Sequence, residues 1–353
     1  MSDTSPDARP TSTVSDTPIR VTVLGGGSWG TTVAHLAAHN APTMLWARDA
    51  QTVQSINDEH RNTRYLADYE LHADLRATDD FAQACTDTDL LVMGVPTSAV
   101  RETAARAARH LRPWVPVVSL SKGFEEGTYL RMTQIIEQEL PSRPVGVLTG
   151  PNLAKEILAG QPAAAVLAMS EFHIAERLQA LFTTSIFRVF LNHDVVGCEL
   201  GGALKNVYAI AAGSAEGRGL GDNSRAALLT RGLAELIELG TVMGGEPLTL
   251  AGLAGLGDLV ATCMSPQSRN SRVGRELGEG RSMADILADM DQVAEGVKAA
   301  KVVRELAAHH GVHLPIAQQV YAVCWEDKNP EWASDALMRG RIGHESGTLR
   351  TSP

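Results

Sequence analysis

The sequence is short of cysteine, of net positive charge and of long apolar runs, and each shortage excludes a class of function. Its 353 residues hold four cysteines, Cys85, Cys198, Cys263 and Cys324. They lie far apart, with no CxxC pair and no metal-ligand spacing, which reads as small buried apolar residues in a reduced compartment rather than a disulfide framework or a metal site. The formal net charge is −10, which argues against general nucleic-acid binding, because affinity for a phosphate backbone comes from clustered Lys and Arg. A local cluster of cations can still serve a small anionic substrate. No run of about 18 or more apolar residues is present, as a membrane span would need. The stretch MSDTSPDARPTSTVSDTP is polar and acidic, with no apolar signal-peptide core. The expectation is a cytoplasmic protein without membrane insertion, with residues 1–18 as a polar tail. Internal repeats are also missing.

With 44% hydrophobic residues the chain can bury a sizeable core, and its length suggests two domains, or three at most. From Ile19 to about Asn192, short β-branched runs alternate with helical patterns. IRVTVL, TMLWA, DLLVMGV, VPVVSL, VGVLTG, AAAVLAM and FRVFL are the strand-like pieces, and the alternation reads as βαβ units on a mostly parallel sheet. Beyond about Val195 the strand-like runs stop. ELGGALKNVYAIAAG, NSRAALLTRGLAELIELGTVMGG and VKAAKVVRELAAHHG carry helical spacing instead. The reading is an α/β Rossmann-like domain over 19–194, an all-α domain over 195–345, and a tail over 346–353.

IRVTVLGGGSWGTTVAHLAAHN sets Gly25, Gly27 and Gly30 in a GxGxxG frame between an apolar strand and an Ala-rich helix. Gly25 permits the tight turn, Gly27 lets backbone amides approach a pyrophosphate, and Gly30 lets the helix pack on the strand. The second strand, TMLWARD, ends some two dozen positions after the first glycine, where the ribose-selecting residue belongs. Arg48 stands there and suits the 2′-phosphate of NADP; Asp49 follows and could reach the ribose hydroxyl of NAD, so both cofactors stay open, with NADP favoured. DTDLLVMGVPTSAV reads as a strand ending at Gly94, Val95 and Pro96 on the ligand-binding edge of the sheet.

Two further loops follow strands on that edge. VSLSKGFEEGT carries Lys122, and VLTGPNLAKEILAG carries Gly150, Asn152 and Lys155. In CELGGALKNVYAIAAG, Lys205 and Asn206 sit within an apolar, small-residue helix. Gly201 and Gly202, one turn before, would let cofactor and substrate approach. A lysine on such a helix either snorkels to water or is used. Reduction of a carbonyl needs a proton donor at oxygen, and a partly desolvated lysine can be tuned for that. LAGLGDLVATCMSPQSRNSRVGRELGEG adds Asp258 in a Gly-rich turn and Ser268, Arg269 and Asn270 at a helix start. Hydroxyl, guanidinium, amide and free backbone N–H groups together form a phosphate receptor. Ser268 can equally be a helix cap, and Asp258 can hold Lys205 or form a structural ion pair.

GGGSWG, SKG, GPNLAKE, ELGGALKN, GLGDLVATC and SRNSRVG occur in this order, and together the chain resembles the bacterial NAD(P)-dependent glycerol-3-phosphate dehydrogenases from about Ile19 to about Gly343. The resemblance implies interconversion of dihydroxyacetone phosphate and sn-glycerol 3-phosphate, at the entry to glycerophospholipid synthesis, with Lys205 transferring the proton. It implies substrate contacts from Lys122, Gly150, Asn152, Lys205, Asp258, Ser268, Arg269 and Asn270. It implies cofactor contacts from Ser28, Trp29, Arg48, Lys122, Ala154, Arg269, Val293 and Glu295, which join Gly25, Gly27 and Gly30 of the glycine loop. No metal is expected, and a homodimer is. The chain departs from the family pattern at Gly26, where alanine is common, a change expected to be neutral. It departs again at Asn152, where Ser or Thr is common, and Asn can still donate and accept hydrogen bonds. A β-hydroxyacid or 6-phosphogluconate dehydrogenase would share the architecture and a helix-borne lysine, and a nucleotide-sensing protein would share the cofactor domain alone. The Ser268–Asn270 cluster and Asp258 favour the triose phosphate, and the intact lysine helix favours an enzyme.

Overall fold

The computed structural model describes residues 18–290 and 294–338. Val293 and the two expected tails, apart from Pro18, lie outside the described residues.

Eight strands form one sheet: β1 (Val21–Leu24), β2 (Thr43–Trp46), β3 (Arg76–Thr78), β4 (Leu90–Met93), β5 (Val117–Ser119), β6 (Val145–Thr149), β7 (Ala163–Met169) and β8 (Phe187–Asn192). Their order is β3-β2-β1-β4-β5-β6-β7-β8. Every neighbouring pair is parallel except β6 with β7. Seven of the eight were legible as apolar runs; β3, with the sequence Arg-Ala-Thr, was not. The central strands β1, β4, β5 and β6 are buried along their whole length, as expected of a parallel sheet covered on both faces. Successive side chains divide between those faces. Val21, Val23, Leu90 and Val92 join one apolar cluster, and Leu24, Leu91 and Met93 join the other. The outermost strand β8 is half-buried in alternation, with Arg188 and Phe190 exposed, because an edge strand here has one face to solvent.

After β8 the described residues are helical. The longest helix, Val195–Gly217, carries Lys205 and is called the lysine helix below. Asp194 caps it, accepting the Gly197 N–H at 2.7 Å, and also accepts the Glu246 N–H at 2.7 Å. From Gly197 to Ile210 every residue is buried, which fits a helix apolar on all sides and enclosed by others. Around it lie the helices Asp222–Val242, Asp258–Met264, Arg269–Gly278 and Glu295–His310. The stretch Pro247–Met264 has a mean hydropathy of 1.4 over 18 residues. It breaks into a short helix, a π-helical turn at Leu253–Gly257 and the helix that begins at Asp258, so its backbone wraps the lysine helix instead of running straight.

The contact between the lysine helix and Arg269–Gly278 has no room for side chains. A methyl group at Gly213 would lie 2.0 Å from the Ser271 carbonyl oxygen, and one at Gly274 would lie 2.0 Å from that of Ile210. The two backbones touch directly, and backbone cannot step aside as a flexible side chain can. Gly274→Ala is therefore expected to cost about 3 kcal/mol or more of stability. Urea denaturation followed by far-UV circular dichroism checks this, and an unchanged midpoint would contradict the contact.

Candidate active site

The parallel strands bring the ends of β1, β4, β5 and β6 to one edge of the sheet. At the end of β1, Gly25 has φ +123°, and a side chain there would strike the Gly94 carbonyl oxygen at 2.5 Å. A methyl at Gly30 would strike the Gly25 carbonyl at 2.1 Å. Both glycines are thus required by the approach of β4 and of the helix Ser28–Ala38. Gly27 differs, because a methyl there meets nothing within 4 Å. It stands before the first helical residue with no side-chain cap on the helix. An open glycine face at an uncapped helix N-terminus is what a dinucleotide pyrophosphate requires, so the residues present fit that group. Ser28 and Trp29 begin the helix; the Trp29 indole N–H is buried without a partner among the described residues. Gly26 does not behave as a neutral replacement of alanine. A methyl there would lie 2.7 Å from the Ala47 side chain, so alanine requires β2 to shift.

The second part of the site is built around one carboxylate. Asp258, 2% exposed, accepts the Lys122 ammonium on Oδ2 at 2.6 Å and the Lys205 ammonium on Oδ1. Lys122 Nζ also donates to the Gly150 carbonyl at 3.0 Å. Lys205 Nζ also donates to Thr262 Oγ1 at 2.6 Å, and that hydroxyl donates to the Asp258 carbonyl at 2.6 Å. Since the hydroxyl proton is spent on the carbonyl, its oxygen presents a lone pair to Lys205. The expected role of Gly201 and Gly202 is revised here. A methyl at Gly201 would lie 2.5 Å from the Ala254 carbonyl, and one at Gly202 would lie 3.3 Å from the Lys122 stem. These glycines make room for the turn before Asp258 and for Lys122, not for a ligand.

Lys205 is 6% exposed. Burial brings its pKa down to about 8, the Asp258 charge opposes that fall, and the Lys122 charge adds to it. The ammonium lines a depression together with Lys122, Leu153, Asn206, Thr262, Ser268, Arg269, Asn270 and Glu295. Three cations and two carboxylates, Asp258 and Glu295, meet at this place. Burial pushes the Glu295 carboxyl up, while Arg269, Lys205 and Lys122 pull it down. Ser268 caps the helix Arg269–Gly278 by accepting the Ser271 N–H at 3.2 Å, and its own hydroxyl proton remains for another acceptor. Asn270 bridges two elements, donating to Asn206 Oδ1 at 2.8 Å and accepting the Gly296 N–H at 2.9 Å.

Not every expected residue lines this depression. Gly150 touches it through Lys122, Asn152 and Ala154 flank Leu153, and Arg48 is exposed at the end of β2. Both amide atoms of Asn152 are buried without partners among the described residues. Sequence reasoning missed Thr262, although it lies four residues after Asp258 on the same helical face. It also passed over Asn62 and Arg64, which lie in an irregular segment beside the glycine loop.

A second buried pair fixes the lysine helix to the start of the helix Met132–Glu139. Glu199 accepts the Thr133 N–H at 2.9 Å and bonds the Thr133 hydroxyl and Arg131. The small cluster of Val147, Val166, Ala168, Cys198 and Ala254 fills the junction of the lysine helix with β6 and β7.

An open glycine loop on a parallel sheet, with Lys205, Asp258 and Thr262 bonded together and buried on an adjoining helical unit, defines a nicotinamide-dinucleotide dehydrogenase. The model of the NAD-dependent glycerol-3-phosphate dehydrogenase N-terminus matches residues 20–175, and that of the C-terminus matches 194–335. The chain belongs to the NAD-dependent glycerol-3-phosphate dehydrogenase family. It is 52% identical over 328 residues to an NAD(P)+ glycerol-3-phosphate dehydrogenase of Sphingopyxis alaskensis, covering 93% of this chain and 98% of that one. It is 53% identical over 327 residues to one from Mycobacterium tuberculosis, covering 92% and 96%. The crystal structure of glycerol-3-phosphate dehydrogenase from Coxiella burnetii superposes with a TM-score of 0.86 at 35% identity, covering 92% of this chain and 99% of that one.

Removing one partner from a buried ion pair leaves the other charge desolvated. Glu199→Ala strands Arg131, whose side chain is 15% exposed, and is expected to cost about 3 kcal/mol. Thermal unfolding read by tryptophan fluorescence measures the loss; a melting temperature equal to that of the wild type would show that the pair does not hold the two helices together.

Proposed function

We propose that the protein reduces dihydroxyacetone phosphate to sn-glycerol 3-phosphate, and runs the reverse reaction, with a reduced or oxidised nicotinamide dinucleotide and with Lys205 as the proton donor and acceptor. The observation that carries this reading is the state of Lys205. An ammonium has three N–H bonds; Asp258 and Thr262 take two, and the third is left at the wall of the depression for a substrate oxygen. When bound at the glycine loop, the cofactor supplies the hydride that the carbonyl carbon receives.

Lys205 then delivers its proton to the carbonyl oxygen as negative charge develops there, and a pKa of about 8 makes both its forms accessible near neutral pH. Asp258 keeps the lysine in place through both protonation states, because its other oxygen stays bonded to Lys122. Arg269, the Ser268 hydroxyl and Lys122 supply donors and positive charge for the substrate phosphate. In this reading residues 19–194 carry the cofactor and 195–345 carry the acid and the phosphate receptor. The four cysteines are free and buried, which agrees with a cytoplasmic protein, and we take it to act as a homodimer.

Oxidation of NADPH or NADH only on addition of dihydroxyacetone phosphate tests the reaction. Lys205→Met keeps the aliphatic stem, so cofactor affinity should stay nearly intact while turnover falls roughly a hundred- to ten-thousandfold. Turnover within a few-fold of the wild type would move the acid elsewhere. The pH profile has a sign. Reduction needs the ammonium and should decline as pH rises through about 8, whereas oxidation needs the free amine and should decline as pH falls through it. In Asp258→Asn the charge that favours protonated Lys205 is gone, so both limbs should move to lower pH; unmoved limbs would separate Asp258 from Lys205 titration.

A further inference from the structure

Arg48 is not the only cation at the ribose end of the glycine loop. The helix Ala50–Glu59 ends at His60 in a left-handed turn, φ 51°, and the chain then runs back beside the loop. Asn62, wholly buried, fastens it there by donating to the Gly26 carbonyl at 2.9 Å and to Thr31 Oγ1 at 2.8 Å. This staple puts Thr63 and Arg64 on one wall of a depression whose other wall is Asp49, Gln51 and Thr52. The depression therefore opens between the carboxyl end of β2, where a cofactor ribose sits in such sheets, and a segment fixed to the pyrophosphate loop.

Asp49 is the residue that would hold an unphosphorylated ribose, but its carboxylate is already in use. It accepts the Thr52 N–H at 3.1 Å and the Thr52 hydroxyl at 2.6 Å, capping the helix. Arg64 lies 4.0 Å from it with its side chain 60% exposed, close enough to feel the charge and free enough to swing. The depression thus has the Arg64 guanidinium on its wall, and the exposed Arg48 directly precedes Asp49 in the chain, two cations against one carboxylate committed to its own helix. Guanidinium forks match phosphate oxygens, and a ribose hydroxyl has no charge to answer them.

We propose that Arg64 is the second arm of a clamp for a ribose 2′-phosphate, with Arg48 as the first, and that the Asp49–Arg64 contact holds the arm in place until a phosphate displaces the carboxylate. The chain is accordingly a reader of phosphorylated dinucleotide, NADP over NAD. The inference rests on the nucleotide-binding reading of the glycine loop.

Binding of adenosine 2′,5′-bisphosphate and of 5′-AMP to the full chain, measured by isothermal titration calorimetry, tests this without turnover. Arg64→Gln shortens and neutralises an exposed side chain. It should weaken the bisphosphate about tenfold or more, as loss of a charged hydrogen bond does, and change 5′-AMP less than about threefold. Asp49→Asn keeps a good helix cap while removing the competing charge, so it should tighten the bisphosphate and leave 5′-AMP nearly unchanged. Equal losses for both nucleotides in Arg64→Gln, or no loss in either, would overturn the clamp while leaving the cofactor site standing. A wild-type chain that binds neither nucleotide would overturn the cofactor reading and the clamp with it.

Discussion

One carboxylate holds two ammonium groups that arrive from opposite halves of the molecule. Lys122 follows β5, Lys205 rides the lysine helix, and Asp258 between them is buried at the head of a third element. The geometry around the site reads as preparation for this meeting. A π-helical turn swings Asp258 inward, and Gly201 and Gly202 let that turn and the Lys122 stem come against the helix. Desolvating three charges is costly, and the cost is met only when good geometry and further hydrogen bonds accompany the pairing. Here the Gly150 carbonyl gives Lys122 a second acceptor and the Thr262 hydroxyl gives Lys205 one. Two cations on one anion also leave positive charge in the depression, which a phosphorylated substrate can neutralise.

Much of the sheet was legible because buried parallel strands must be continuous apolar runs, and VTVL, LLVM and VGVLT are such runs. β3 was hidden because Arg-Ala-Thr has no run at all; it is a strand only because the open edge of β2 pairs with it. The reversal of β7 was equally invisible, since AAAVLAM reads the same in either direction and only the connection to β6 decides. The lysine helix was plain from its unbroken apolar and small-residue pattern, which also made Lys205 conspicuous.

The site was legible where chemistry and local spacing coincide. Asp258 and Lys205 stood out as charges in apolar company, and Thr262 would have followed from its position one helical turn after Asp258. Gly201 and Gly202 were misread in purpose. A small residue in a sequence announces a close approach without naming what approaches, and at Gly201 and Gly202 the visitor is the protein itself. Asn62 and Arg64 gave no sign, because their placement depends on how an irregular segment folds back on the loop. Asn270 was read as a ligand for phosphate, and its two amide atoms also tie Asn206 to Gly296.

The glycine-lined seam between the lysine helix and Arg269–Gly278 has a mechanical consequence. Helices separated by side chains can slide, because rotamers absorb small displacements. These two touch through backbone at Gly213, Gly217, Gly274 and Gly278, with no compliant layer between them. They form a single stiff beam, with Ser268 and Arg269 at one end of the shorter helix and Lys205 partway along the longer one. Distances between Lys205 and the Ser268–Arg269 end are therefore set when the chain folds, and any closing movement has to occur at the joints of the beam.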